Sequence, residues 1–155
     1  MRIAIGCDHA AYEMKAHMAE ILKDKGFEVL DFGTDSAKSV DYPDYARKVS
    51  EAVLSGQADK GVLICGTGIG MSMSANKYKG IRAALCSEPV SARLSRQHND
   101  ANVLCMGGRM LGLLMAGEIL STWLDTPFEG GRHQRRVDKI IALGSSDNPE
   151  GKGSC

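Results

Sequence analysis

Residues 62–72 read VLICGTGIGMS. An apolar run ends in Cys65 and drops at once into a turn with glycine at 66, 68 and 70, beyond which a short helix is expected through Asn76. A strand that hands over to a helix through a tight glycine turn is the building unit of a parallel α/β sheet. Such a unit needs neighbours of the same kind, and the chain supplies them on both sides.

Upstream, RIAIGC (2–7) reads as a first strand. Met14, Met18, Ile21 and Leu22 then follow the stripe of a helix that stops at Lys25-Gly26. FEVLDFG (27–33) is the second strand. Asp41-Tyr-Pro-Asp opens the next helix with proline in its first turn, and Tyr45, Val49, Ala52 and Val53 form its buried stripe. GVLIC (61–65) is the third strand. Downstream, IRAALC (81–86) is the fourth, and Ser87-Glu-Pro starts a helix with Ser87 as the expected N-cap. ANVLCMG (101–107) is the fifth strand, 110–124 a strongly apolar helix, and a last helix runs from about Arg132 to Leu143. A single domain over 1–143 is expected. Residues 144–155, GSSDNPEGKGSC, have turn and linker composition and read as a flexible tail.

Composition narrows the function classes. The 155 residues are 43% apolar and 25% charged, ordinary for a soluble globular chain. Nineteen basic and nineteen acidic residues cancel, which argues against nucleic acid or an anionic membrane as partner. No apolar run approaches the ~18 residues of a membrane span. The start, MRIAIGCDHA, turns polar too soon for a signal peptide, so a cytoplasmic location is expected. Five cysteines show neither a CxxC pair nor metal-ligand spacing, and most close a strand, where a reduced thiol packs well. Neither a disulfide, a metal nor a cofactor is expected.

Ligands of parallel sheets bind outside the carboxyl ends of the strands. Three strand ends deliver unusual residues there: Cys7-Asp8-His9, Cys65 with its glycine turn, and Gly107-Gly108-Arg109. The turn's backbone N–H groups can form a nest for an anion or a developing oxyanion, or the glycines can serve the turn alone. It is neither GxGxxG nor a P-loop, since no GK[ST] follows. Cys65 adds weight to the first reading, because a thiol beside such amides is stabilised as thiolate and can act as a base. Cys86 and Cys105 are expected to be inert. Asp8 reads either as a helix cap or as a ligand. His98 and Asn99, in RQHNDAN (96–102), lead into the fifth strand, at the wrong end of the sheet for a site built from one chain. Arg132 and Arg136 lie one helical turn apart, opposite Val137, Ile140 and Ile141, either as a phosphate clamp or as a solvated helix end.

Five segments in this order, GCDHA, DYPDYA, ICGTGIGMS, SRQHNDANVL and EGGRHQRRV, resemble the type B ribose-5-phosphate isomerases, a group that includes galactose- and allose-6-phosphate isomerases. The resemblance runs from Arg2 to about Leu143. It implies a three-layer αβα, Rossmann-like α/β fold with a five-stranded parallel sheet of order 2-1-3-5-4. It also implies a homodimer or dimer of dimers with shared sites and a sugar phosphate as the small-molecule partner. One subunit then gives Asp8-His9, Tyr42 and the CGTGIG turn; its neighbour gives the QHN, GGR and GGRH elements. Cys65 is implied as the base between C1 and C2, and His98 as the acid–base that opens the furanose, with Thr67 close by. The amides of Gly66, Gly68, Ile69 and Gly70 hold the enediolate oxygens. Asp8 and Asn99 bind sugar hydroxyls, Tyr42 lines the pocket, and His9, Arg109, Arg132 and Arg136 hold the phosphate. Some relatives use a glutamate in place of the cysteine, but residues 66–79 contain no acid. A thiol phosphatase is excluded by spacing, since its C-x5-R loop would need arginine at Met71 or Glu13. A hexose-phosphate isomerase and a non-catalytic sugar-phosphate sensor remain as alternatives.

Overall fold

The computed structural model describes residues 1–143; the expected tail over 144–155 lies outside them. Strands and helices alternate: β1 (Arg2–Cys7), α1 (Tyr12–Asp24), β2 (Glu28–Asp31), α2 (Tyr42–Leu54), β3 (Lys60–Cys65), α3 (Ile69–Ala75), β4 (Ala83–Leu85), α4 (Pro89–Asn99), β5 (Val103–Gly107), α5 (Leu113–Asp125) and α6 (Arg132–Leu143). The strands form one parallel sheet of order β2-β1-β3-β5-β4. The α/β class and the strand order agree with expectation.

The three central strands are apolar on both faces, as a sheet covered on both sides requires. On one side Ile3, Ile5, Val62, Ile64, Leu104 and Met106 pack against Met14, Met18 and Leu22 of α1 and Ile119, Leu120 and Trp123 of α5. On the other, Leu63, Cys65, Val103 and Cys105 meet Ala46, Val49 and Ala52 of α2 and Met71 and Ala75 of α3. Among the described residues, no helix is long and apolar enough to cross a membrane.

Several boundaries differ from the sequence reading. The edge strands β2 and β4 are shorter than expected, because each has a single neighbour and pairs with it only over Glu28–Asp31 and Ala83–Leu85, while β1 and β5 run on against β3. The N-cap of α4 is Glu88, not Ser87: its carboxylate accepts the amides of Val90 at 2.6 Å and Ser91 at 2.7 Å. The chain turns over 108–110, where the amides of Met110 and Leu111 donate to Gly107 O, so α5 begins later than expected, at Leu113. On α6 the buried residues are His133 and Val137, whereas Ile140 and Ile141 are 45% and 38% exposed and do not join the core.

Candidate active site

Register brings the ends of three strands level. Cys7 pairs with Ile64, and Cys65 with Gly107. The turns beyond them are stitched together by the main chain. Asp8 N–H donates to Ile64 O at 3.2 Å, Gly108 N–H to Cys65 O at 2.7 Å, and Arg109 N–H to Gly66 O at 3.0 Å.

Cys65 stands at the centre of this mouth, 4% exposed. The N–H of Gly68 donates to its Sγ at 3.1 Å. That contact points the positive end of an amide dipole at the sulfur, the arrangement a thiolate base requires. It exists because Gly68 takes φ 77°, a left-handed conformation that side chains with a Cβ rarely adopt. Thr67 and Ile69 face outward, joined by Ile69 N–H to Thr67 Oγ1 at 3.3 Å. Tyr42 lies across the turn so closely that a Cβ on Gly70 would sit 2.6 Å from its ring carbons. Arg109 arches over Gly66.

Asp8 is buried beside Cys65's strand, but it does not cap a helix. Its Oδ1 accepts the Ala10 amide at 3.0 Å, and the N-cap of α1 is Ala11. The Nδ1 of His9 accepts the Val40 amide at 3.2 Å. A neutral imidazole held in that way carries its proton on Nε2, which is left as a donor. The other described thiols are unsuited to base chemistry. Burial pushes Cys7 up to about 12, and it raises Cys86 and, with help from Cys65 and Cys86, Cys105.

A second group gathers where α4 ends and α6 begins. His98 stacks on His133, with centroids 4.3 Å apart and planes within 6°. The Nε2 of His133 accepts Arg132 Nε–H at 3.3 Å and lies 3.6 Å from Glu129. Burial, then His98 and Arg132, holds the His133 pKa below the usual imidazole value, which favours the neutral ring whose Nε2 can accept. Asn99 is the last residue of α4, and Arg136 stands one turn beyond Arg132, both exposed.

His133 and Glu129 were not singled out in the sequence, although EGGRHQ carries both at i, i+4 spacing. With His98 they form a trio of metal-ligand type, its ligand atoms within 4.8 Å, which the sequence spacing did not reveal. Its geometry does not suit a metal. The two rings are parallel, so their in-plane lone pairs run side by side instead of converging, and a guanidinium already occupies His133 Nε2.

The residues that the sequence singled out thus fall into two groups. Asp8, His9, Tyr42, Cys65, Gly66, Thr67, Gly68, Ile69, Gly70 and Arg109 share the carboxyl end of the sheet; His98, Asn99, Arg132 and Arg136 belong to the amino end of β5. At ~3.3 Å per residue, the length of β3 or β5 separates the two groups by some 15–20 Å. Arg109, which the resemblance counts among the neighbour's elements, lies near Gly66 in its own chain.

The family model described as Ribose/Galactose Isomerase matches residues 3–140. The chain belongs to this family. It is 53% identical over 142 residues to ribose-5-phosphate isomerase B of Escherichia coli K12, a match covering 92% of this chain and 95% of that one. It is also 43% identical over 141 residues to D-erythrulose-4-phosphate isomerase of Pectobacterium atrosepticum, covering 90% and 93%. Among solved structures, Clostridium thermocellum ribose-5-phosphate isomerase B superposes with a TM-score of 0.91 at 54% identity, covering 92% of this chain and 97% of that one. For the Thermotoga maritima ribose 5-phosphate isomerase the TM-score is 0.88 at 56% identity, covering 90% and 97%. The ribose/galactose isomerase fold thus extends over essentially all the described residues.

Proposed function

We propose that this protein is an aldose–ketose isomerase that interconverts ribose 5-phosphate and ribulose 5-phosphate through a cis-enediolate. The observation that carries the reading is the Gly68 amide aimed at Cys65 Sγ, inside the glycine turn that follows β3. A proton acceptor and oxyanion donors, side by side, are what removal of a proton alpha to a carbonyl requires.

The reaction starts from the closed furanose. His98 of a second subunit protonates the ring oxygen as the anomeric hydroxyl loses its proton, and the open aldehyde forms. The Cys65 thiolate takes the C2 proton, and the electron pair moves through C1 onto the carbonyl oxygen. The amides of Gly66 to Gly70 meet the charge that develops there. Cys65 returns the proton to C1, and the O2 proton passes to O1 with Thr67 at hand, leaving the ketose. Asp8 and Asn99 hold hydroxyls, and Tyr42 closes the wall. His9, Arg109, Arg132 and Arg136 hold the phosphate, binding energy remote from the reacting carbons that keeps them in register.

This assignment needs two subunits, because the two groups stand at opposite ends of one sheet. We therefore read the protein as a homodimer or dimer of dimers, acting in the cytoplasm. Ile69, Met73 and Met110, all exposed near the Cys65 mouth, support a partner covering that region.

Chain length of the sugar is the second question, since a 43% identical relative is named for a four-carbon substrate. One carbon is worth ~1–3 kcal/mol in a pocket, so activity on neighbouring lengths is expected at a reduced level. Metal-free protein assayed with ribose 5-phosphate, allose 6-phosphate and galactose 6-phosphate decides both points. Fastest ketose formation from the pentose is expected. A faster hexose would move the protein to a hexose-phosphate branch, and no turnover of any of the three by folded protein would leave a sensor and overturn the enzyme reading.

A further inference from the structure

Asp100 directly follows His98 and Asn99, and among the described residues it is the one non-glycine with positive φ, at φ 45° and ψ 46°. A helix that must turn sharply into a strand usually places glycine there. The left-handed conformation costs an L residue about 1–2 kcal/mol, so the surroundings must hold it. Two guanidinium groups do. Arg96 Nη1 donates to Asp100 Oδ1 and to Ala101 O, both at 2.7 Å. Arg82 donates to Asn99 O at 3.1 Å, to Asp100 O at 3.0 and 2.8 Å, and to Asp100 Oδ2 at 3.1 Å.

The arginines are themselves fixed. Arg82 extends from the chain just ahead of β4, where its own amide is held by Asn102 Oδ1 at 2.8 Å. Arg96 is buried with its guanidinium 5.6 Å from the Trp123 ring centroid. The carbonyls after His98, which a helix end normally leaves to water, are thus tied by planar donors both to the chain ahead of β4, through Arg82, and back to α4 itself, through Arg96. That is far more restraint than a chain reversal needs, and it acts on the residues next to the imidazole.

We propose that the Arg82–Asp100–Arg96 latch is a positioning device for ring opening, setting His98 and Asn99 where the partner's sugar ring arrives. It rests on the proposed role of His98. Its competitor is an ordinary helix terminus that serves folding alone.

The two are separated by a pair of substrates, ribose 5-phosphate and 4-deoxyribose 5-phosphate. The deoxy sugar keeps the span from phosphate to C1 but lacks the hydroxyl that closes the furanose, so it needs no ring opening. Asp100→Asn retains a residue type that tolerates the left-handed region while removing the charge. Arg82→Lys, as second variant, leaves one ammonium where four bonds were made. Misplacement by about 1 Å can cost on the order of 100-fold, so both variants are expected to lower kcat on ribose 5-phosphate 10- to 100-fold relative to kcat on the deoxy sugar. His98→Gln should shift the ratio the same way. Equal losses on both sugars, tracking a lowered Tm, would overturn the latch and leave the His98 role standing. An unchanged ratio in His98→Gln would overturn the ring-opening assignment itself, and the latch with it.

Discussion

Gly68 shows how one residue serves the backbone and the chemistry together. Its φ of 77° brings its amide onto Cys65 Sγ, and a Cβ there would lie 2.5 Å from Leu85 Cδ1 and 2.8 Å from the carbonyl carbon of Met106. Leu85 can move, but the β5 backbone cannot do so cheaply. Gly68→Ala should therefore cost about 2–4 kcal/mol, combining the left-handed penalty with overpacking. Gly26→Ala is the matched control: φ is 81° there but nothing lies within 4 Å, so about 1 kcal/mol is expected. Denaturant titration of both variants measures the crowding as the difference, and equal losses would contradict the close fit. The glycines were legible in the sequence as a turn, and Cys65 as its oddity. Whether the turn served a ligand or merely folded was not, because that depends on where one N–H points. His133 escaped notice for a similar reason, since a histidine on a basic helix end acquires a role only through the ring it stacks on.

At the scale of elements, apolar runs, helix stripes and helix start and stop signals located the five strands and six helices of the described residues. They could not give the order of strands in the sheet, because hydrophobic period says which face is covered and not which neighbour lies alongside; the order came from resemblance. They also misjudged α6, where Ile140 and Ile141 look like core and are not. One ionisable group reports directly on how elements pack. Lys60 begins β3 and sets its Nζ 5.5 Å from the Trp123 ring of α5. Burial, aided by the nearby Arg96, lowers its pKa to about 8 from 10.5. Between those values the unfolded chain binds more protons than the folded one, so stability from this group rises with pH across that window. Below about pH 8 the cost of burying the charge is fully present. Lys60→Met should accordingly raise Tm at pH 7, and its advantage over the wild type should shrink by pH 10. An advantage that stays constant would show that the ammonium is not held in a poorly solvated place.

At the scale of the molecule, the chain looks unfinished. The two groups of residues proposed to share a site stand at opposite ends of the sheet, and Met110 and Leu114 are 69% and 82% exposed around the start of α5. Reading along the sequence already placed His98 at the wrong end of the sheet, and the fold confirms that separation. No spacing within one chain can show which surface of a second copy meets it, and this part of the account came from the family resemblance. The most direct measurement is complementation between two damaged subunits. Cys65→Ala loses the proton-transfer base and His98→Gln the ring opener, so each alone should lose on the order of 10²–10⁴ in turnover of ribose 5-phosphate. Unfolded together and refolded as a random mixture, they should regain about a quarter of wild-type activity, because half the dimers are hybrid and each hybrid holds one intact site. No recovery, in a mixture shown to contain hybrids, would contradict a site shared between subunits; a Cys65→Ala protein that turns over as fast as the wild type would contradict the chemistry.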